Sequence, residues 1–304
     1  MATIAENIQE VHRRIAAACA LAHRPVESVT LLAVSKTFPA DPVREAFDAG
    51  ERSFGENYVQ EALDKMDALA DLRDRLQWHL IGPLQSNKTR AVAESFDWVH
   101  TVDRLKIAQR LSEQRPASLP PLQLCLQVNI SGEASKSGLT VDEVPEVARA
   151  VADLPRLRLR GLMAVPAPTV DAVAQRLPHA RLCELLAGLQ RDGLDVDTLS
   201  MGMTADLEAA IAAGVTLNLE SEGEADRALA IGQRIGVQPR LAVRVNPDCD
   251  LRGSGMRMGG GAKPFGIDQD RVPALVRYIL AEGAHWRGFH IFAGSQALDA
   301  DAII

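Results

Sequence analysis

Short apolar runs alternate with longer amphipathic stretches along almost the whole chain, a pattern that predicts strands and helices in regular succession. The strand candidates are residues 30–35, 53–55, 77–82, 98–102, 122–130, 159–164 and 198–201. Between them, apolar residues recur at helical spacing over residues 41–49, 59–70, 88–94, 104–114, 141–152 and 170–191. A strand then a helix, repeated about seven times before residue 214, calls for parallel strands joined by helical crossovers. The expected fold is therefore α/β, a (β/α)8 TIM-type barrel. A doubly wound open sheet has the same periodicity and stays open as the runner-up. Ahead of the first strand, Ile4, Ile8, Val11 and Ile15 fall at helical spacing with charged residues between them, which reads as a packing helix and not as a signal peptide.

In a barrel of this kind the active groups sit at the C-terminal ends of the strands. Lys36, Asn57, His79, Asn129, Ser131 and Ser200 all fall there. Taken singly, such residues are ordinary turn formers, and their recurrence at the same end of successive strands is the stronger observation. Lys36 ends the apolar run Val29-Thr30-Leu31-Leu32-Ala33-Val34-Ser35. Partial burial at the mouth of a strand favours the neutral, nucleophilic amine, a candidate to attack an aldehyde and form a Schiff base. The competing reading is a strand-end lysine that extends into water.

The stretch Ser200-Met201-Gly202-Met203-Thr204 leads into a helical run, with Thr204 as the expected N-cap. Its backbone N–H groups, with the Ser200 and Thr204 hydroxyls, offer a cradle for a phosphate. A plain capped helix start explains the same residues, because Asp206 and Glu208 already complement the helix dipole. An amine together with a phosphate cradle is what pyridoxal 5'-phosphate requires.

Composition narrows the partners. The 304 residues are 47% hydrophobic and 24% charged with a formal net charge of −7, which disfavours nucleic acid and anionic membrane surfaces. The densest basic segment, residues 156–160, alternates like a half-buried strand. Cys19, Cys125, Cys183 and Cys249 lie far apart without a CxxC or Cys/His pair, so neither a zinc site nor a disulfide framework is suggested, and a reduced, cytoplasmic setting is expected. No apolar stretch approaches the roughly 20 residues that cross a bilayer. Asp248, Cys249 and Asp250 lack histidine partners for a metal, and the glycine-rich run at residues 253–261 lacks the lysine-hydroxyl ending of a phosphate loop.

Six strings carry a specific resemblance: AVSKTFP (residues 33–39), FGENYVQE (54–61), WHLIGPLQSNK (78–88), QVNISGEASKSG (127–138), RGLMAVPAP (160–168) and LSMGMTADLEAAIAAG (199–214). In this order they resemble the YggS/PROSC-type pyridoxal phosphate homeostasis proteins, whose barrel is similar to the N-terminal barrel of alanine racemase. The resemblance implies that Lys36 carries the cofactor as an internal aldimine and that Ser200, Gly202 and Thr204 belong to the phosphate-binding turn. Asn57 and His79 complete the expected cofactor-binding set.

The resemblance covers residues 1–214. Family members continue into a last strand whose arginine meets the pyridine nitrogen and whose Gly-Thr pair helps hold the phosphate. This chain reads VTLNLESEGEADRAL at residues 215–229 instead. From there, NLESEGEADRAL (218–229), RLAVRVNPD (240–248), GSGMRMGGGAKPFGI (253–267) and RGFHIFAGSQ (287–296) resemble the diaminopimelate/ornithine decarboxylase-like enzymes of the same superfamily, nearest to the exosortase-linked subtype. Phe292 stands where those relatives carry a ring-stacking histidine, and His290 lies two positions earlier. The chain thus reads as a hybrid, natural or engineered, or as a gene-model join. Residues 1–214 form a cofactor-binding barrel and residues 215–304 a partial, decarboxylase-like one. Residues 216–220 are expected to take the eighth strand's place, leaving the later units surplus.

Three functions stay open. One is a non-catalytic carrier of pyridoxal phosphate that serves cofactor-dependent apo-enzymes. Another is an amino-acid decarboxylase or racemase, which needs an acid-base group and a carboxylate site. The third is a hybrid with weakened cofactor binding.

Overall fold

The computed structural model describes residues 3–133, 136–169, 171–213, 217–219, 221–235, 238–246 and 267–291. The chain divides into two compact units, Met1–Pro168 with Pro178–Ala213, and Thr169–Leu177 with Gly214–Ile304.

Seven strands build the sheet of the first unit: β1 (Ala33–Val34), β2 (Ser53–Glu56), β3 (Gln77–Leu80), β4 (Trp98–Val102), β5 (Leu122–Gln127), β6 (Leu157–Met163) and β7 (Thr198–Ser200). Every neighbouring pair is parallel, and the order in the sheet is the order in the chain. A doubly wound sheet reverses its strand order at a switch point, so sequential order selects the TIM-like arrangement over the open alternative. β1 is shorter than its apolar run predicts. It is an edge strand with one neighbour, and only Ala33 and Val34 find partners, opposite Phe54 and Gly55.

The helices crossing between strands bury one stripe each, at spacings of three and four residues. Val43 and Phe47, Ala62 and Met66, Ile107 and Leu111, and Ala148 and Val151 are such pairs. They belong to one core with Phe54, Trp78, Leu80, Val99, Leu124, Leu126 and Leu162 of the sheet. Burying each large side chain of this set contributes about 1.5–3 kcal/mol. The first helix, Ile4–Leu21, starts on a capping box in which Thr3 and Glu6 exchange side-chain to backbone hydrogen bonds, and it buries Ile15, Ala18 and Cys19. Past β3 the chain runs so close to the exit of β2 that a Cβ on Gly82 would lie 2.1 Å from the Asn57 carbonyl oxygen.

The second unit has its own sheet of β8 (Leu217–Leu219), β9 (Arg240–Asn246), β10 (Ile267–Asp268) and β11 (His285–Ile291), all parallel to β9. Leu217–Leu219, expected from the sequence as an eighth strand of the first sheet, instead pairs with residues 241–243 of β9. The apolar β9 run, in which Leu241 and Val243 are fully buried, supplies that partner. Helices Glu222–Ile235 and Val272–Ala281 pack on this sheet around Ala228, Leu229, Leu275 and Ile279. The residues read as surplus therefore form a core of their own. Asp248, Cys249, Asp250, the glycine-rich run and Phe292 lie outside the described residues.

Candidate cofactor-binding site

Parallel strands in sequential order place their C-terminal ends on one side of the sheet, and the residues singled out from the sequence follow those ends. Lys36 stands two residues beyond β1 and is exposed, so the burial expected for it is not what the fold provides. The turn that carries it is tightly specified: Phe38 N donates to Ser35 O, Ser35 N donates to Gly55 O, and Thr37 has φ +67°. Positive φ in a β-branched residue is a genuine conformational outlier.

Asn57 follows β2 and is half-buried, its backbone pressed by Gly82; among the described residues its side-chain amide makes no hydrogen bond. Asn129 and Ser131 follow β5. The Asn129 amide donates to the carbonyls of Glu133 and Lys136 and so ties its own loop, which is the turn-forming role.

His79 does not stand free. Its ring stacks on Trp98 at 5.3 Å and 12°, and its Nδ1 lies 2.9 Å from Nε2 of His100, whose Nδ1 lies 2.6 Å from the Ser200 hydroxyl. Both rings are buried, and His79 Nε2 has no partner. Of the two possible proton arrangements, one leaves that atom a bare acceptor and the other an orphaned N–H, which is the rarer and costlier state. The arrangement that avoids the orphaned N–H has His79 Nδ1–H donating to His100 and His100 Nδ1–H donating to Ser200, which leaves the Ser200 proton available to a ligand. Burial pushes the His100 pKa down to about 4; burial, then the charge of His100, takes His79 well below the imidazole range. Both rings are neutral at neutral pH.

The turn after β7 departs from expectation in one respect. The N-cap of the following helix, Leu207–Ile211, is Asp206 and not Thr204. The Asp206 carboxylate accepts from Met203 N and from Nε2 of buried His179 at 3.0 Å, and so braces the turn from inside. The Thr204 side chain is left exposed, with its carbonyl accepting from Arg14. Gly202, at φ +89°, is required: a Cβ there would lie 2.8 Å from that of Ala210. With five residues the helix has little dipole, so an anion at this turn would be held by the Ser200 hydroxyl and exposed backbone.

These residues fit a phosphorylated aldehyde: a reachable amine beyond β1, a hydroxyl donor set at the end of β7, and a glycine turn without side-chain bulk. The Cys125 and Cys183 thiols do not compete for the aldehyde, since burial raises them to about 12 and about 11. Sequence reasoning missed His100, Glu56, Glu61, Lys65 and Asp206. Only the Glu61–Lys65 spacing is a visible signal, and it reads as a surface pair. Among the described residues no cluster of three or more His, Cys, Asp or Glu is placed to hold a metal.

The family described as alanine racemase, N-terminal domain, matches residues 2–225. The pyridoxal phosphate homeostasis protein of Pseudomonas aeruginosa is 63% identical over 216 residues, covering 71% of this chain and 92% of that protein. Its counterpart in Escherichia coli is 56% identical over 218 residues, covering 71% and 93%. PipY of Synechococcus elongatus, solved with PLP bound, superposes with a TM-score of 0.58 at 38% identity, covering 66% of this chain and 94% of that one; the structure without PLP gives 0.60. The chain belongs to the alanine racemase N-terminal domain family and, within it, to the pyridoxal phosphate homeostasis proteins.

Proposed function

We propose that this protein holds pyridoxal 5'-phosphate on Lys36 through a Schiff base and acts in homeostasis of that cofactor as a carrier, without catalysis of its own. The relatives named for that role and the PLP-bound PipY support the reading. The observation that carries it is the exposed Lys36 amine at the end of β1, in the sheet whose β7 ends on Ser200, its hydroxyl 2.6 Å from His100 Nδ1. The cofactor supplies an aldehyde for the amine and a phosphate for the turn. Asn57, Ser200, Gly202 and Thr204 receive it, while His79 acts one step back, through His100 and Ser200.

A carrier is favoured over a decarboxylase or racemase because the buried acid-base groups described near the strand ends, the His79 Nε2 and Glu56 Oε2 atoms apart, are hydrogen-bonded within the protein. The two histidines are neutral and committed to Ser200, and Lys65 is paired with Glu56 and Glu61. Apo-enzymes that need the cofactor are the recipients we infer. A reducing cytoplasm suits the free Cys19, Cys125 and Cys183, and among the described residues no helix is long and apolar enough to cross a membrane. We assign residues 1–214 to the cofactor-binding part and residues 215–304 to a decarboxylase-like segment on its sequence strings.

The test is a PLP titration followed by absorbance, then borohydride reduction and peptide mass analysis. The expected result is a label on Lys36 and loss of the absorbance band in Lys36→Ala. A band that persists in that variant sinks the assignment.

A further inference from the structure

Beneath the Lys36 turn lies a buried ionic cluster that the cofactor contacts do not use. Lys65, on helix Val59–Ala68, is 4% exposed, and Glu56, at the end of β2, is fully buried. Lys65 Nζ donates to Glu56 Oε1, Glu61 Oε1 and the Ser35 carbonyl, each at 2.7 Å. Glu56 Oε1 also accepts from the Ser35 hydroxyl at 2.6 Å, and Glu61 Oε1 accepts from the Thr37 backbone N–H. The bond from Lys65, followed by that from Thr37, holds the Glu61 carboxyl below the usual carboxylate range.

The bonds from this cluster reach the backbone on both sides of Lys36 and nowhere touch Lys36 itself. A buried ion pair is weak evidence for stability, because apolar side chains of similar volume serve a core as well or better. What apolar side chains cannot do is grip a carbonyl at residue 35 and an N–H at residue 37. The grip is needed at that place, because Thr37 at φ +67° is strained and such a conformation persists only where its surroundings over-determine it.

We propose that Lys65, with Glu56 and Glu61, is the positioning device for the Lys36 amine, clamping residues 35 and 37 so that the strained turn presents the amine to an incoming aldehyde. The inference rests on Lys36 being the aldehyde-binding residue. It concerns the amine end of the site and is independent of how a phosphate is held.

Pyridoxal, which has the aldehyde and no phosphate, is the probe, with its association read by absorbance and by borohydride labelling of the Lys36 peptide. Glu61→Ala frees the Thr37 N–H while leaving the buried Lys65–Glu56 pair intact. It is expected to lower pyridoxal association about tenfold, the factor that ~1.4 kcal/mol of strain corresponds to, with the urea midpoint little changed. Thr37→Gly added to Glu61→Ala is expected to recover most of that loss, because glycine reaches positive φ without steric cost. A second route is the pair Lys65→Met with Glu56→Gln, which removes the grip on the Ser35 carbonyl without leaving a lone buried charge, and it too is expected to weaken association. Unchanged association in Glu61→Ala, or a folded double variant in which Thr37→Gly restores nothing, overturns the proposal. Lys36→Ala separates the two readings. Label surviving in it removes the Lys36 assignment itself, whereas label lost there but undiminished in Glu61→Ala removes only the clamp.

Discussion

At the scale of single residues, the chain places ionisable groups in the interior and fixes what each can do. His100 is neutral in the native state, with a pKa pushed to about 4 by burial, while an imidazole in the unfolded chain titrates near ~6.5. The native protein therefore binds fewer protons than the unfolded one between those values. The associated stability is complete above pH ~6.5 and is lost as the pH falls toward 4, roughly 3 kcal/mol for this ring. His79, shifted in the same direction, adds to the slope. Urea unfolding at pH 7 and pH 5 is expected to register that loss, and a chain carrying His79→Gln and His100→Asn is expected to lose most of the difference. Legibility in the sequence was uneven at this scale. The strand-end placement of Lys36, Ser200 and Gly202 could be read because each stands at or just past the end of a strand, among turn formers. His100 could not, because its role depends on parallel strands that bring residues 79, 100 and 200 within hydrogen-bond reach of one another.

At the scale of elements, the strand and helix pattern carried most of the first unit. Trp98–Val102 is the strand its apolar alternation predicts, and the other strands differ at their ends. Cap chemistry was harder. Thr204 has the residue type of an N-cap, yet Asp206 takes the position because its carboxylate also answers Met203 N and His179. The close approach of the chain after β3 to the exit of β2 makes Gly82 the element-scale weak point. Gly82→Ala forces a methyl group against the Asn57 carbonyl, and overpacking of that kind costs about 1–3 kcal/mol. A fall of that size in unfolding free energy, with a weaker hold on Asn57, is the expected outcome in a denaturant titration. An unchanged midpoint would mean that the loop yields freely.

At the scale of the whole molecule, parallel strands were implied by the repeating pattern, but neither their sequential order in the sheet nor the partner of residues 217–219 was. A three-residue strand, Leu-Asn-Leu, can complete any sheet of matching register, and here the buried β9 run takes it. The consequence is that each unit has a main core of its own among the described residues, the larger around Trp78, Leu124 and Leu162, the smaller around Leu229, Leu275 and Ile279. Unfolding is accordingly expected in two steps. Leu275→Ala, which opens a cavity worth about 2–5 kcal/mol, is expected to move the step of the smaller unit and leave the other in place. A single transition shifted as one by that substitution would show the two units to be coupled.

The exposure of Lys36 bears on how a carried cofactor would leave. With a carbon–nitrogen bond formed at so exposed a lysine, a second amine, whether of a free amino acid or of a lysine on a recipient protein, would be able to reach it from solvent. Transfer to such an acceptor would be bimolecular, its rate following the concentration of accepting amines and competing with hydrolysis by the water that reaches the same bond.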